Sequence, residues 1–372
     1  MSAAVELAQA LVRIDTVNPP GGEAAAASVV GERLDAAGLD VQAQQLDDGC
    51  TSLVARLAGS GARPAICFTG HLDVVPPGSR WTRDPFAGEI DGDRLYGRGS
   101  SDMKGGVAAI VAAVEELART WGGRAAGLEI VLTSGEETGC EGAKALVGSG
   151  LLGEVGAIVV AEPTANYPCI AHKGVLWLRA KTTGVRAHGA TPELGRNAIY
   201  PLADAVARLN DFDFEVPGHP LLGEPTLIVG SFHGGDSVNS IPDAAVAEID
   251  IRTTPAVDEG ELLETLRAYV GPDVELAPIL SLPAVETAPD DPWVLDVFDA
   301  LEPLLGERPS PTGIRPFTDA AVLTPAYGGP PTIVCGPGEG DQAHRADEWC
   351  SINRIDQAVE VYVEIARRWC SH

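Results

Sequence analysis

Asp102 stands among glycines in the stretch Leu95-Tyr96-Gly97-Arg98-Gly99-Ser100-Ser101-Asp102-Met103-Lys104-Gly105-Gly106. Glycines let the backbone turn tightly and approach a neighbour closely. The run Val107 to Leu117 that follows is rich in Ala and Val and predicts a buried helix. A carboxylate fixed at the front of a helix repels phosphate, and no Lys-Ser or Lys-Thr follows the glycines, so this is not a phosphate loop. It suits a cation, because hard and borderline metal ions take carboxylate oxygen. Further ligand types recur in four short stretches. His71 and Asp73 lie in Gly70-His71-Leu72-Asp73, and Glu136 and Glu137 in Ser134-Gly135-Glu136-Glu137. Glu162 lies in Ala161-Glu162-Pro163, and His344 closes Gly336-Pro337-Gly338-Glu339-Gly340-Asp341-Gln342-Ala343-His344.

Each stretch alone has an ordinary reading: a structural His-x-Asp, a solvated Glu pair, a turn, a plain loop. Their common position gives them weight. Each follows a predicted strand: Ala65 to Thr69, Leu128 to Thr133, Ala157 to Ala161, and Thr332 to Cys335. These apolar runs alternate with helices, the pattern of an α/β fold with a mostly parallel sheet covered on both faces. In such sheets, sites form beyond the carboxyl ends of the strands. With Asp102 the strand ends supply a His, Asp, Glu, Glu, His set, suited to one or two zinc-like ions.

From Gly174 the pattern changes to strand Val175–Thr183, helix Asn197–Leu209, strands Thr226–Phe232 and Ala244–Arg252, helix Glu259–Val270 and strand Val274–Leu280. That β-α-β-β-α-β order is ferredoxin-like. After Pro283 the first alternation returns, so residues 174–284 read as an α+β domain inserted between a first part, 1–173, and a second part, 285–372. A chain of 372 residues exceeds one ordinary core, which agrees with two domains. The net charge of −27 disfavours nucleic acid and anionic membrane as partners. No apolar run is long enough to span a bilayer. Met1 to Ile14 reads as an amphipathic helix and not as a signal peptide. Seven scattered cysteines without a Cys-x-x-Cys pair read as reduced thiols of a cytoplasmic protein.

The stretches Gly70 to Pro76, Gly97 to Gly106, Glu136-Glu137, Ala161-Glu162-Pro163-Thr164 and Ala343-His344 together resemble the signatures of the M20 metallopeptidase family. The match runs in order over nearly the whole chain, and the inserted domain falls where that family has its lid. The resemblance implies two zinc ions bridged by Asp102, with cobalt or manganese as substitutes. His71 and Glu162 would complete one site, Glu137 and His344 the other. It implies Glu136 as the general base toward the attacking water. Asp73, two residues from His71 on an extended segment, points the same way and would hold the imidazole by its other nitrogen. The resemblance also implies a cis peptide at Asp102-Met103.

In the lid, His188 of Gly184-Val185-Arg186-Ala187-His188-Gly189 resembles the histidine by which one subunit stabilises the oxyanion in its partner's site, so a homodimer through the lid is expected. Asn239 and Arg252 match positions near the substrate carboxylate, which suits the bidentate fork of Arg; a structural salt bridge is the other reading of Arg252. One departure stands out. Ahead of Thr318-Asp319 the family has small residues, often Gly, and this chain has Arg315-Pro316-Phe317. The expected activity is zinc-dependent removal of an N-acyl group from an amino acid, acetylornithine deacetylase-like. The alternatives are a dipeptidase or carboxypeptidase acting on small peptides, and a non-catalytic binding protein of the same fold.

Overall fold

A computed structural model of the chain describes residues 1–46, 49–120 and 125–371. The chain forms two compact units. One comprises Met1–Ala171, Glu286–Gly313 and Thr318–His372, the other His172–Val285 and Ile314–Phe317. The segment Ile314–Phe317, which the sequence pattern leaves with the helices after Pro283, clusters with the second unit.

The first unit is built on a six-stranded sheet in the order Asp40–Gln45, Thr51–Leu57, Leu128–Thr133, Ala65–His71, Val155–Val160, Thr332–Val334. The last four run parallel to one another, and the first two form an antiparallel hairpin at one edge. Sequence reading omitted that hairpin. Its outer strand carries Asp40, Gln42, Gln44 and Gln45, and its polar alternation lacks the apolar run that marks the buried strands. Leu128–Thr133 and Ala65–His71 are buried almost throughout, as expected of strands covered on both sides.

Side-chain parity assigns the covering helices. Leu53, Leu132 and Gly70 lie in register and share one face. Against that face pack Ala24–Ala36, Gly105–Thr120 and Ile352–Ser371; Phe68, of the same parity, meets the Tyr362 ring at 5.5 Å. Ser52, Thr133 and His71 share the opposite face, where Glu141–Ser149 and Ala320–Ala326 pack. The helix Gly105–Thr120 is buried along most of its length, as its Ala and Val content predicts. Among the described residues no helix is long and apolar enough to cross a membrane.

The second unit is a four-stranded antiparallel sheet in the order Thr226–Gly234, Ala244–Thr253, Gly174–Thr183, Glu275–Leu282, with helices Ile199–Leu209 and Glu259–Val270. This is the ferredoxin-like arrangement. Burial alternates along Gly174–Thr183 and Ala244–Thr253 because helices cover one face only. Leu176, Leu178, Ile249 and Ile251 meet Leu202 and Leu266 in that core. Asp258 caps Glu259–Val270 by accepting from Glu261 N at 2.8 Å.

Candidate metal centre

The glycines around Asp102 act as spacers between the helix Gly105–Thr120 and the sheet. A Cβ on Gly106 would lie 2.3 Å from the Ala161 carbonyl oxygen, so only glycine lets the helix start press against the strand end that carries Glu162. Gly99 has φ +83°, a left-handed turn that aims the following residues inward. Asp102 and Met103 leave helical geometry, and the peptide between them is cis. The Met103 side chain is buried beneath the strand end, with Sδ 3.3 Å from His71 N.

Two ligand sets result. His71, Asp102 and Glu162 bring one ligand atom each within 4.8 Å of the others, and so do Asp102, Glu137 and His344. Asp102 belongs to both. His71 Nε2 lies 3.1 Å from Asp102 Oδ1 and 3.7 Å from Glu162 Oε1. His344 Nε2 lies 3.0 Å from Glu137 Oε2 and 3.5 Å from Asp102 Oδ2. His344 takes φ +61° and is half exposed, whereas His71 is buried.

The charges test whether a cation fits. His71 Nδ1 lies 2.9 Å from the Asp73 carbonyl oxygen, which can only accept, so Nδ1 carries the proton. In the neutral form of the ring the Nε2 lone pair then faces two carboxylates, an arrangement a bound cation stabilises. The titration tendencies report the same crowding. Burial draws His71 down, but hydrogen bonds with Asp102 and Asp73 carry it well above the ordinary histidine value. Burial, then the Asp102 charge, pushes Glu162 well above the carboxylate range and raises Glu137. Histidines drawn toward protonation beside Glu137 and Glu162 drawn toward neutrality mark a site short of positive charge, while the histidines hold Asp102 low against its burial. Two imidazoles and three carboxylates are the donor types of zinc and its neighbours.

Asp73 sits behind His71 as a hub. Its carboxylate accepts from Glu136 N at 3.1 Å, Glu137 N at 3.2 Å and Asn18 Nδ2 at 3.3 Å. Although burial raises it, His71 holds Asp73 below its ordinary value. Glu136 is 6% exposed, and among the described residues no group donates a hydrogen bond to its carboxylate. Burial, then Glu162, Glu137 and Asp319 against His71, push Glu136 well above the carboxylate range.

Three supporting groups escaped the sequence reading. Glu348 is fully buried and accepts from Gly99 N at 3.1 Å, Ser101 N at 2.8 Å and Asp102 N at 3.1 Å, while pairing with buried Arg98. It therefore grips the turn that presents Asp102. Asn18 bridges Asp73 to Thr138 Oγ1 at 3.2 Å. Asp319 accepts from Thr133 Oγ1, and burial pushes it up to about 6. The one signal for Glu348 is its place four residues after His344.

His188, Asn239 and Arg252 belong to the second unit. His188 pairs across strands with Ser240, Gly189 N donates to Asn239 O at 2.7 Å, and His188 is exposed. Arg252 lies on Ala244–Thr253, where Nη2 donates to Asp250 Oδ2 at 3.0 Å.

The model of peptidase family M20/M25/M40 matches residues 67–368. A probable succinyl-diaminopimelate desuccinylase of Staphylococcus epidermidis is 30% identical, with 89% of each chain covered. The acetylornithine deacetylase of Vibrio cholerae is 31% identical over 91% of this chain and 89% of its own. An M20 family metallo-carboxypeptidase from Sulfolobus solfataricus superposes over the whole of both chains with TM-score 0.83 at 18% identity.

Proposed function

The chain belongs to peptidase family M20/M25/M40, and from that premise we propose a two-metal amidohydrolase that removes an N-acyl group from a free amino acid. The observation that carries this reading is the pair of ligand sets sharing Asp102. His71, Asp102 and Glu162 would hold one ion; Asp102, Glu137 and His344 the other. Zinc is the proposed ion, with cobalt or manganese as substitutes. Two ions bound there supply Lewis-acid activation of water and of the amide carbonyl.

The chain's own residues do the rest. Glu136, its carboxylate free of other donors, takes the proton from the attacking water and returns it to the leaving amine. Asp73 fixes the imidazole of His71 and, through the backbone of Glu136, the position of the base. Asn239 and Arg252 take the substrate carboxylate. His188 donates toward the carbonyl oxygen as charge develops. His188 would come from a second copy, in a homodimer formed through the second unit acting as a lid. The exposure of His188, the sheet-edge position of Thr226–Gly234, and exposed Val185, Ile228, Phe232 and Val238 support that arrangement. A cytoplasmic location is supported by seven cysteines that stand as reduced thiols, six of them buried.

A second reading, cleavage of dipeptides or of a C-terminal residue, is favoured by the likeness to the Sulfolobus carboxypeptidase. The complete ligand set and the free Glu136 speak against a binding protein without catalysis. The test loads the protein with zinc, cobalt or manganese and offers N-acetyl amino acids beside dipeptides. Metal-dependent release of acetate is expected. Full activity in metal-free protein, or faster turnover of dipeptides, overturns the proposal.

A further inference from the structure

The helix-free face of the second unit's sheet brings aromatic and cationic side chains together at one end. In register, Trp177 stands opposite Asp250, and Ile228 opposite Asp250 on its other side. Arg252 stands opposite Val175 and Thr226. Paired residues share a face and alternate residues return to it. Trp177, Ile228, Asp250 and Arg252 therefore project together, away from the core that holds Leu176, Leu178, Ile249 and Ile251.

The returning segment Ile314–Phe317 adds to that face. The Phe317 ring stands edge-on to Trp177, with centroids 6.3 Å apart and planes at 79°. The Arg252 guanidinium lies 5.6 Å from the Phe317 centroid and is held by Asp250. Trp177, Arg252 and Phe317 are all partly exposed. Two more cations adjoin. Arg315 is exposed, and no ion pair engages it among the described residues. Lys173 is buried and donates Nζ to the Glu224 carbonyl. Lys173 precedes Gly174, which pairs with Thr253 beside Arg252, and Arg315 lies two residues before Phe317, so the three cations share one region; after burial, the charges of Arg315 and Arg252 lower Lys173. Asp250 offsets one of them. On a chain of net charge −27, this is a local positive field beside two aromatic rings.

Given the proposed function, in which Arg252 takes the substrate carboxylate, we infer that Trp177, Phe317 and Arg315 select for bulky apolar side chains and against side chains bearing an amine. The carboxylate meets the cations. An apolar side chain laid against Trp177 and Phe317 leaves water, whereas an ammonium would lie beside like charges. The preferred substrates are then N-acyl derivatives of aromatic or branched aliphatic amino acids, and N-acetylornithine is a poor one.

The test compares kcat/KM for N-acetylphenylalanine, N-acetylleucine, N-acetylglycine and N-acetylornithine in the metal-loaded protein. We expect the first two to exceed N-acetylornithine by about tenfold or more, the scale of discrimination in an apolar pocket. Phe317→Gly should lower the ratio of N-acetylphenylalanine to N-acetylglycine about tenfold. Arg315→Glu should raise N-acetylornithine relative to N-acetylphenylalanine about fivefold or more. Should Phe317→Gly fail to fold, Trp177→Leu and Phe317→Leu carry the same comparison. A wild-type preference for N-acetylornithine, or ratios unmoved by the variants, overturns the inference. If no amide is hydrolysed, the proposed chemistry fails. Calorimetric binding of N-acetylphenylalanine against N-acetylornithine then decides the inference alone: tighter binding of the first supports it, and equal or reversed affinities overturn it.

Discussion

Replacing Glu348 with alanine should separate two things that this residue joins. Glu348 and Arg98 are 0% and 2% exposed, and one carboxylate accepts from three backbone N–H groups of the turn carrying Asp102. Removing one partner of a buried ion pair costs about 3–5 kcal/mol, because the other charge stays buried without compensation. Each orphaned N–H adds about 1–3 kcal/mol, less where water enters the space left behind. The expected loss is therefore at least about 3 kcal/mol against a total stability of roughly 5–15 kcal/mol, so the variant folds but at a lower denaturant midpoint. The turn also loses its grip, and metal affinity should fall about 10–100-fold, the usual worth of a supporting partner. Denaturation of metal-free protein reads the first effect, since bound metal would otherwise add its own stabilisation. Chelator competition reads the second. The double variant Arg98→Met, Glu348→Leu should recover part of the stability without recovering metal affinity, because the turn's N–H groups stay unserved. A loss below about 1 kcal/mol for Glu348→Ala, with metal affinity unchanged, would refute the role given to this ion pair.

Glu136→Gln should keep both ions and lose about 10²–10⁴-fold in kcat, whereas Glu137→Gln should weaken metal binding; metal content beside turnover distinguishes them, and identical behaviour would reverse the assignment. His172 is fully buried, Nδ1 faces the Lys173 carbonyl, and burial lowers its pKa to about 4. The unfolded chain takes that proton near 6.5, so it binds more protons between those values and stability falls as pH drops through the window. Between pH 7 and pH 5 the wild type should lose about 2 kcal/mol more than His172→Gln in denaturant melts, and equal slopes would contradict this. Co-expressed His188→Ala and Glu136→Gln chains should recover roughly a quarter of wild-type activity, since half of a random mixture is mixed dimers with one whole site each. No recovery in verified mixed dimers would show that His188 does not serve a second copy.

The candidate metal centre is legible in the sequence because its residues end apolar strands. His71, Glu137, Glu162 and His344 each follow a run whose burial is readable from composition, and strand ends in such sheets converge. Asp102 was legible through its glycines. The supports were not. Glu348 and Asn18 act across separations of 246 and 55 residues from their partners, so no local pattern marks them. The same holds for Glu129, which interrupts an apolar strand yet is buried, paired with Arg56 and accepting from the Tyr327 hydroxyl. Register decided the helix-free face of the second unit. Alternation marks two faces of Gly174–Thr183, but only pairing shows that Trp177 and Arg252 share one. The place of Phe317 beside them depends on a segment 140 residues after Trp177 and 65 after Arg252, beyond the reach of any window.

Asp73 gives the centre an evolutionary stiffness. Asp73 orients His71 through its backbone carbonyl and, through its carboxylate, fixes the backbone of both Glu136 and Glu137, so the proposed base cannot be repositioned without disturbing the proposed metal ligands beside it. A lineage exploring new substrates is thereby steered away from the strand ends. Variation that leaves the chemistry intact has to accumulate away from this hub, such as in the segment bearing Arg315 and Phe317, which we propose lies against the substrate. The same rule applies to anyone redesigning the protein: the reaction is inherited as a block, and selectivity is the part free to be rewritten.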